Sequence, residues 1–355
     1  MGRVRLHVTC VVVFTLIACG SDHDFAQTIH RIIPNLPNMQ SVILENTLFE
    51  PQPSPGIKLN HLQMRGTHNS YHVKPRLPLD SSHEYTHRPL YEQFDRLGIH
   101  ALELDVHLEA GGLATYHISM IDPLSTCFWF SECLNEIRRW STSNPKHLPI
   151  MIWIEVKDLT GGLPITDLDL VDRTILNEFP ETKIVMPRDI QNTEATLRAG
   201  LNKYGWPEVD SLRGRVMFMM VNNDEHQKEY TYNHTSLDNR VMFVNADLDQ
   251  FDHPWAVIAK INNPRETHTV QAAHARNMLI ASNICTSGES STTCYEKLSA
   301  GWENGVHMLM DDFPTPVTDH VYWQSVPGSH NAWCNPVNAP EACNDARLAP
   351  VFVGP

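Results

Sequence analysis

At 355 residues and 42% hydrophobic, the chain is long enough for one large α/β barrel or for two domains of ordinary size. A net charge of −14 with the histidines neutral argues against a nucleic-acid partner, because phosphate backbones call for clustered Lys and Arg. It leaves phosphate chemistry open, since a bound metal can supply local positive charge inside an acidic protein.

Arg3 and Arg5 precede an apolar run from Val8 to Ala18, too short to span a bilayer as a mature helix, so residues 1–19 read as an export signal. The run ends Leu16-Ile17-Ala18-Cys19-Gly20, which resembles the lipobox of bacterial lipoproteins, where the cysteine is lipidated; a plain secretory signal is the alternative. Both predict an exported protein, secreted or anchored to the cell envelope. No later segment is apolar for long enough to form a transmembrane helix. Residues 20–57, dotted with prolines, read as a linker or arm, and 58–355 as the folded domain. Its six cysteines fall in close couples: Cys127 with Cys133, Cys285 with Cys294, Cys334 with Cys343. Other pairings are open to six cysteines, but neighbours are favoured in an oxidising compartment, and the CxxC pair of a zinc site is missing.

Short β-rich apolar runs then alternate with amphipathic stretches. Strands are predicted at 61–66, 100–107, 148–157, 183–186, 215–222, 240–247, 277–283 and 306–312. Helices are predicted at 133–140, 167–179, 193–204, 253–261, 265–276 and 295–304. The alternation implies parallel pairing through right-handed crossovers, and eight units predict a single (β/α)8 TIM-type barrel. An open doubly wound sheet is the structural alternative, but no Gly-rich phosphate-binding turn follows the first strand. The tail after Pro314 is expected to close over one end.

Polar groups collect at the C-terminal ends of the apolar strands, where barrel enzymes place their chemistry. The first strand runs into Gly66-Thr67-His68-Asn69-Ser70-Tyr71-His72. On the second, Glu103, Asp105 and His107 share one face and Leu102, Leu104 and Val106 the other. The apolar face packs on helices, so the carboxylates point into the mouth. The third strand repeats the device with Glu155 and Lys157, and a hairpin at Gly111-Gly112 is expected to return His117 to the same place. A single strand-end acid is usually a solvated loop residue and a lone histidine usually structural; convergence carries the argument. Burying three carboxylates together is costly unless a cation or proton compensates. Oxygen ligands from Asn69, Glu103, Asp105 and Glu155 suit Ca2+ or Mg2+ better than zinc, leaving His68 and His117 for proton transfer.

His68-Asn69-Ser70-Tyr71, Glu103-Leu104-Asp105, Tyr116-His117, Ile154-Glu155 and the late Cys334-Asn335-Pro336-Val337-Asn338-Ala339-Pro340 occur in the order found in calcium-dependent phosphoinositide-specific phospholipases C. The chain resembles the secreted bacterial and fungal branch of that family over about residues 57–345. The resemblance implies a phospholipase C-like barrel that cleaves phosphatidylinositol or a related inositol phospholipid at a membrane surface; the domain is expected to be a monomer. The products would be diacylglycerol and an inositol phosphate, formed through a cyclic phosphate. It makes His68 and His117 the catalytic histidines, Glu103 a base, and Asn69, Glu103, Asp105 and Glu155 the Ca2+ ligands. Lys157 would approach the headgroup and Asp312 the inositol ring. Two departures stand out: residues 278–283 lack the expected arginines, and Trp333 precedes Cys334 where arginine is common. The alternatives are a glycerophosphodiester phosphodiesterase, which usually opens His-Arg rather than His68-Asn69, and a non-catalytic lipid- or sugar-binding surface lipoprotein.

Overall fold

The computed structural model describes residues 56–348 apart from 159, 223, 319, 328 and 329. The export signal, Cys19 and residues 20–55 of the expected arm lie outside the described residues. Eleven strands form one sheet: β1 (Leu62–Thr67), β2 (Ala101–Glu109), β3 (Gly112–Ala114), β4 (Ile150–Val156), β5 (Ile184–Val185), β6 (Val216–Met220), β7 (Phe243–Val244), β8 (Ile258–Lys260), β9 (Leu279–Cys285), β10 (Met308–Asp311) and β11 (Ala332–Cys334). Ten helices accompany them among the described residues: α1 (Leu90–Leu97), α2 (Phe130–Ser143), α3 (Asp169–Glu178), α4 (Pro187–Gln191), α5 (Leu197–Tyr204), α6 (Val209–Leu212), α7 (Glu225–Tyr230), α8 (Thr267–His274), α9 (Ser291–Glu303) and α10 (Asp345–Leu348).

Eight parallel staves run β1-β2-β4-β6-β7-β8-β9-β10 and back to β1. The weakest seam is β7–β8, held by the Asn245–Ile258 bridge and an Ala246 N–H donating to the Ile258 carbonyl (3.1 Å). The staves are not quite the predicted eight. Residues 183–186 contribute only β5, which pairs with the base of β6 outside the circuit. The missing stave is β8, inside the stretch 253–261 that was expected to be helical.

Parallel staves covered on both sides read as continuous apolar runs, and β4 (IMIWIEV) and β6 (VMFMM) are buried almost throughout. Full burial of each such side chain contributes roughly 1.5–3 kcal/mol. Gly66 in β1 marks a close approach, because an added Cβ would lie 2.4 Å from Met310 Sδ and 2.9 Å from Ala101 Cβ. Outside the staves, α1 buries Leu90, Phe94 and Leu97 at helical spacing and ends at Gly98 in the left-handed region (φ 64°). Phe94 stacks on Trp140 of α2 (4.8 Å). All three cysteine couples are disulfides: Cys127–Cys133, Cys285–Cys294 and Cys334–Cys343. The last ties down the tail whose β11 runs antiparallel to β1 at the N-terminal, base end of the barrel.

Candidate active site

The staves β1, β2, β4, β8 and β10 bring their C-terminal ends to one mouth. In the β2–β4 register Asp105 lies beside Glu155, so two carboxylates share one layer at strand spacing. Asp105 is fully buried, and neither of its oxygens has a hydrogen-bond partner among the described residues; nor does Glu103 Oε2. Asp105 Oδ2 lies 3.5 Å from Lys157 Nζ, which contacts Glu155 Oε1 at 2.8 Å. Burial pushes the Asp105 carboxyl upward despite Lys157, with Glu155 adding to the rise. Burial alone would lower Lys157, but Asp105 and Glu155 outweigh it. Burial would likewise raise Glu103, yet Lys260, whose ammonium contacts Glu103 Oε1, and then His68 hold it below the usual carboxylate range.

The turn after β1 is stitched to β2. Ser70 N–H donates to the Glu103 carbonyl (2.8 Å), and the Glu103 N–H donates to Ser70 Oγ (2.9 Å). Asn69, buried, takes φ 42°, a left-handed conformation that asparagine tolerates better than most residues. His68 Nδ1 faces Asp312 Oδ1 at 2.9 Å, and the other Asp312 oxygen accepts from the Ser287 N–H (2.7 Å). Burial alone would depress His68, but Asp312 and Glu103 more than offset it and raise it.

His117 arrives on the predicted hairpin, β3 pairing antiparallel to the end of β2. Below it, His107 stacks on Tyr116 (3.8 Å between centroids) and contacts the Tyr116 carbonyl through Nε2 (2.8 Å). His107 therefore supports the hairpin instead of opening into the mouth. His117 Nδ1 faces Asp122 Oδ2 at 2.8 Å, and buried His72 spans from the Tyr85 carbonyl (Nδ1, 3.0 Å) to that same Asp122 oxygen (Nε2, 2.8 Å). Burial would raise Asp122, but hydrogen bonds from His117 and His72 bring it down to about 2. Between His117 and Asp122 the loop exposes Met120 (93%, φ 65°) and Ile121. It touches the segment 160–163 through Ser119 N–H to the Thr160 carbonyl (2.7 Å). Leu163, three residues after Thr160, and Leu77 and Leu79 after β1 are exposed as well.

The two oxygens of buried Asp312 meet His68 and the Ser287 N–H. Lys157 lies against Glu155 and Asp105, the nearest opposite charges. Sequence reasoning missed Asp122, His72 and Lys260. Lys260 ends an apolar run as Lys157 does, so reading 255–260 as a strand would have exposed it.

The donor set fits a hard cation. Buried carboxylate oxygens without hydrogen-bond partners among the described residues, in a domain whose described cysteines are all in disulfides, are what an oxygen-ligated Ca2+ would satisfy. A family model described as "Phosphoinositide phospholipase C, Ca2+-dependent" matches residues 57–115 and 107–336. Similar solved folds include a Ca2+-dependent phosphatidylinositol-specific phospholipase C from Streptomyces antibioticus (18% identity, TM-score 0.53, covering 73% of this chain and 96% of that one). A second is the calcium-dependent phosphoinositol-specific phospholipase C of a Gram-negative Pseudomonas sp. (15%, 0.54, 79% and 97%). Its myoinositol complex is similar to the same degree (15%, 0.54, 80% and 100%). At these identities the likeness to the solved structures is one of fold. No curated protein sequence matches at a significant level.

Proposed function

The chain belongs to the Ca2+-dependent phosphoinositide phospholipase C family and is a phosphodiester-cleaving enzyme of that type, and from this premise we propose that it splits phosphatidylinositol or a related inositol phospholipid through a cyclic phosphate. One observation carries the reading. Two imidazoles, each with Nδ1 against a buried aspartate, accompany a set of buried carboxylate oxygens that have no hydrogen-bond partner.

Asn69, Glu103, Asp105 and Glu155 would hold the ion. Bound there, Ca2+ would lower the pKa of the inositol hydroxyl next to the phosphodiester and offset charge at phosphorus. Glu103 Oε2 takes the hydroxyl proton as that oxygen attacks phosphorus. His68, its Nδ1 held by Asp312, directs Nε2–H at a phosphoryl oxygen. His117, its Nδ1 held by Asp122, gives the proton on Nε2 to the departing glycerol oxygen, so diacylglycerol leaves neutral. The neutral His117 can then take a proton from water attacking the cyclic phosphate. Asp312 acts through His68 as a positioning residue.

The apolar rim of Leu77, Leu79, Met120, Ile121 and Leu163 supports a substrate met at a membrane surface, because exposed apolar side chains next to a site mark interaction surfaces. No helix among the described residues is long and apolar enough to cross a membrane. Three disulfides suit an oxidising, extracytoplasmic setting. We read residues 1–19 as the export signal with Cys19 lipidated, and the domain as acting as a monomer. Mass analysis of the mature N-terminus checks the lipid. The decisive assay screens phosphodiesters with and without chelator: inositol phospholipid should be cleaved, with a cyclic phosphate appearing first. Preference for glycerophosphodiesters, or full activity after exhaustive chelation, would overturn the reading.

A further inference from the structure

His83 is a buried imidazole that the mechanism does not use. Its side chain is 7% exposed, on the short turn Ser81–His83, and that turn is fixed by the Asp80 side chain and by Ser287 Oγ donating to the Ser81 carbonyl (2.8 Å). His83 Nδ1 has no hydrogen-bond partner among the described residues, while Nε2 is aimed at Asp122 Oδ2 from 3.9 Å. The His83 and His117 rings meet edge to face, 5.3 Å between centroids and 87° apart. One ligand atom from each of His83, His117 and Asp122 lies within 4.8 Å of the other two.

We propose that His83, His117 and Asp122 form a three-ligand site for a borderline transition-metal ion such as Zn2+, distinct from the oxygen-lined Ca2+ site, and that filling it silences His117. Zinc–nitrogen bonds of about 2.0–2.1 Å put two tetrahedral ligands about 3.3 Å apart. The separations of 2.8 Å (His117 Nδ1 to Asp122 Oδ2) and 3.9 Å (His83 Nε2 to Asp122 Oδ2) bracket that value. Two imidazoles and one carboxylate select Zn2+ or Cu2+ over Ca2+. His72 would serve as the outer partner that keeps Asp122 oriented, through Asp122 Oδ1 (2.9 Å). Three protein ligands leave a position for water, and His117 is partly exposed to supply it. Coordination at His117 Nδ1 expels the Nδ1 proton to solvent and replaces the Asp122 contact that orients the ring. Binding rests on this geometry alone; the loss of activity rests on the acid role given to His117 above.

The test titrates Zn2+ into Ca2+-saturated protein against a chromogenic chelator, with Co2+ absorption as a second signal. Wild type should take up one Zn2+ and show a visible Co2+ band that Zn2+ abolishes. His83→Ala should weaken Zn2+ binding more than about 10-fold, the smallest effect expected even of an outer partner, and leave Ca2+ binding and turnover in Ca2+ without Zn2+ unchanged. His83→Gln, checked by thermal melting, covers a folding failure of the alanine variant. Equal Zn2+ affinity in wild type and both His83 variants, or no uptake beyond theirs, overturns the site. His83-dependent uptake that leaves turnover untouched keeps the site and overturns the acid role of His117.

Discussion

The two histidine arms of the mouth reach similar ends by different means. His68 follows β1 directly, and its aspartate follows β10 directly; both sit where adjacent staves end, with Asp312 pinned by the Ser287 N–H. His117 stands on a hairpin, and its aspartate lies five residues further along the same loop, secured by His72 and flanked by exposed Met120 and Ile121. The Nδ1-to-carboxylate distances, 2.9 and 2.8 Å, are nearly the same. In the proposed mechanism, the group that stays beside phosphorus is set on the barrel itself, and the group that meets the leaving oxygen is set on a loop at the apolar rim.

The largest test of this contrast removes each imidazole. His68→Ala and His117→Ala should each lower turnover roughly 100- to 10,000-fold and spare Ca2+ affinity. With a nitrophenolate leaving group, which departs without a proton, His117→Ala should regain much of its rate while His68→Ala stays slow. Equal losses on both substrates for both variants would refute the division of roles.

A smaller effect is expected at the carboxylates between the arms. Asp105→Asn should weaken Ca2+ binding at least about 10-fold by calorimetry, because a ligand charge is lost. It should not lower the melting temperature without Ca2+, since burial already disfavours the charged carboxyl there. A large drop in melting temperature would mean that Asp105 serves the fold. Smaller again, Met120→Asp should lower turnover on phosphatidylinositol vesicles about 10-fold and leave a soluble substrate unaffected, touching the loop arm alone. Equal effects on both substrates would count against a lipid-facing rim.

The same contrast explains what could be read in advance. Groups at the ends of staves, Glu103, Asp105, Glu155 and the His68 turn, announce themselves as polar residues closing apolar runs, with strand alternation giving the face. Asp122 has no such frame; its role depends on loop path and on His72, which sequence spacing does not encode. β8 was hidden because Trp255–Ile261 is a short apolar run that fits either a buried strand or a helix, and only pairing with β9 and Asn245 decides. Lys260, the partner of Glu103, was lost with it. In 183–186 the residues are β-prone, but β4 already occupies the near side of β6, so they pair on its far side at the base.

The subtlest prediction sets the two aspartates against each other as pH changes. His68 is raised in the fold, burial being outweighed by Asp312 and Glu103. Stability from that pair is therefore fully present below the ordinary histidine value of about 6.5 and is lost as pH rises through the raised folded value. Asp122 is depressed to about 2 by His117 and His72 acting against burial. Its contribution is present above the ordinary aspartate value of about 3.9 and is lost as pH falls toward the folded one. Asp312→Asn should thus show its largest stability deficit in mild acid, shrinking as pH rises, with the pH–rate limb of His68 moved to lower pH. Asp122→Asn should show a deficit on the order of 2 kcal/mol at neutral pH that narrows below pH about 4. Denaturant unfolding of both variants across pH 3 to 9 reads the two slopes. Parallel slopes would mean that the arms are held by the same electrostatics after all, leaving their difference to the backbone that carries them.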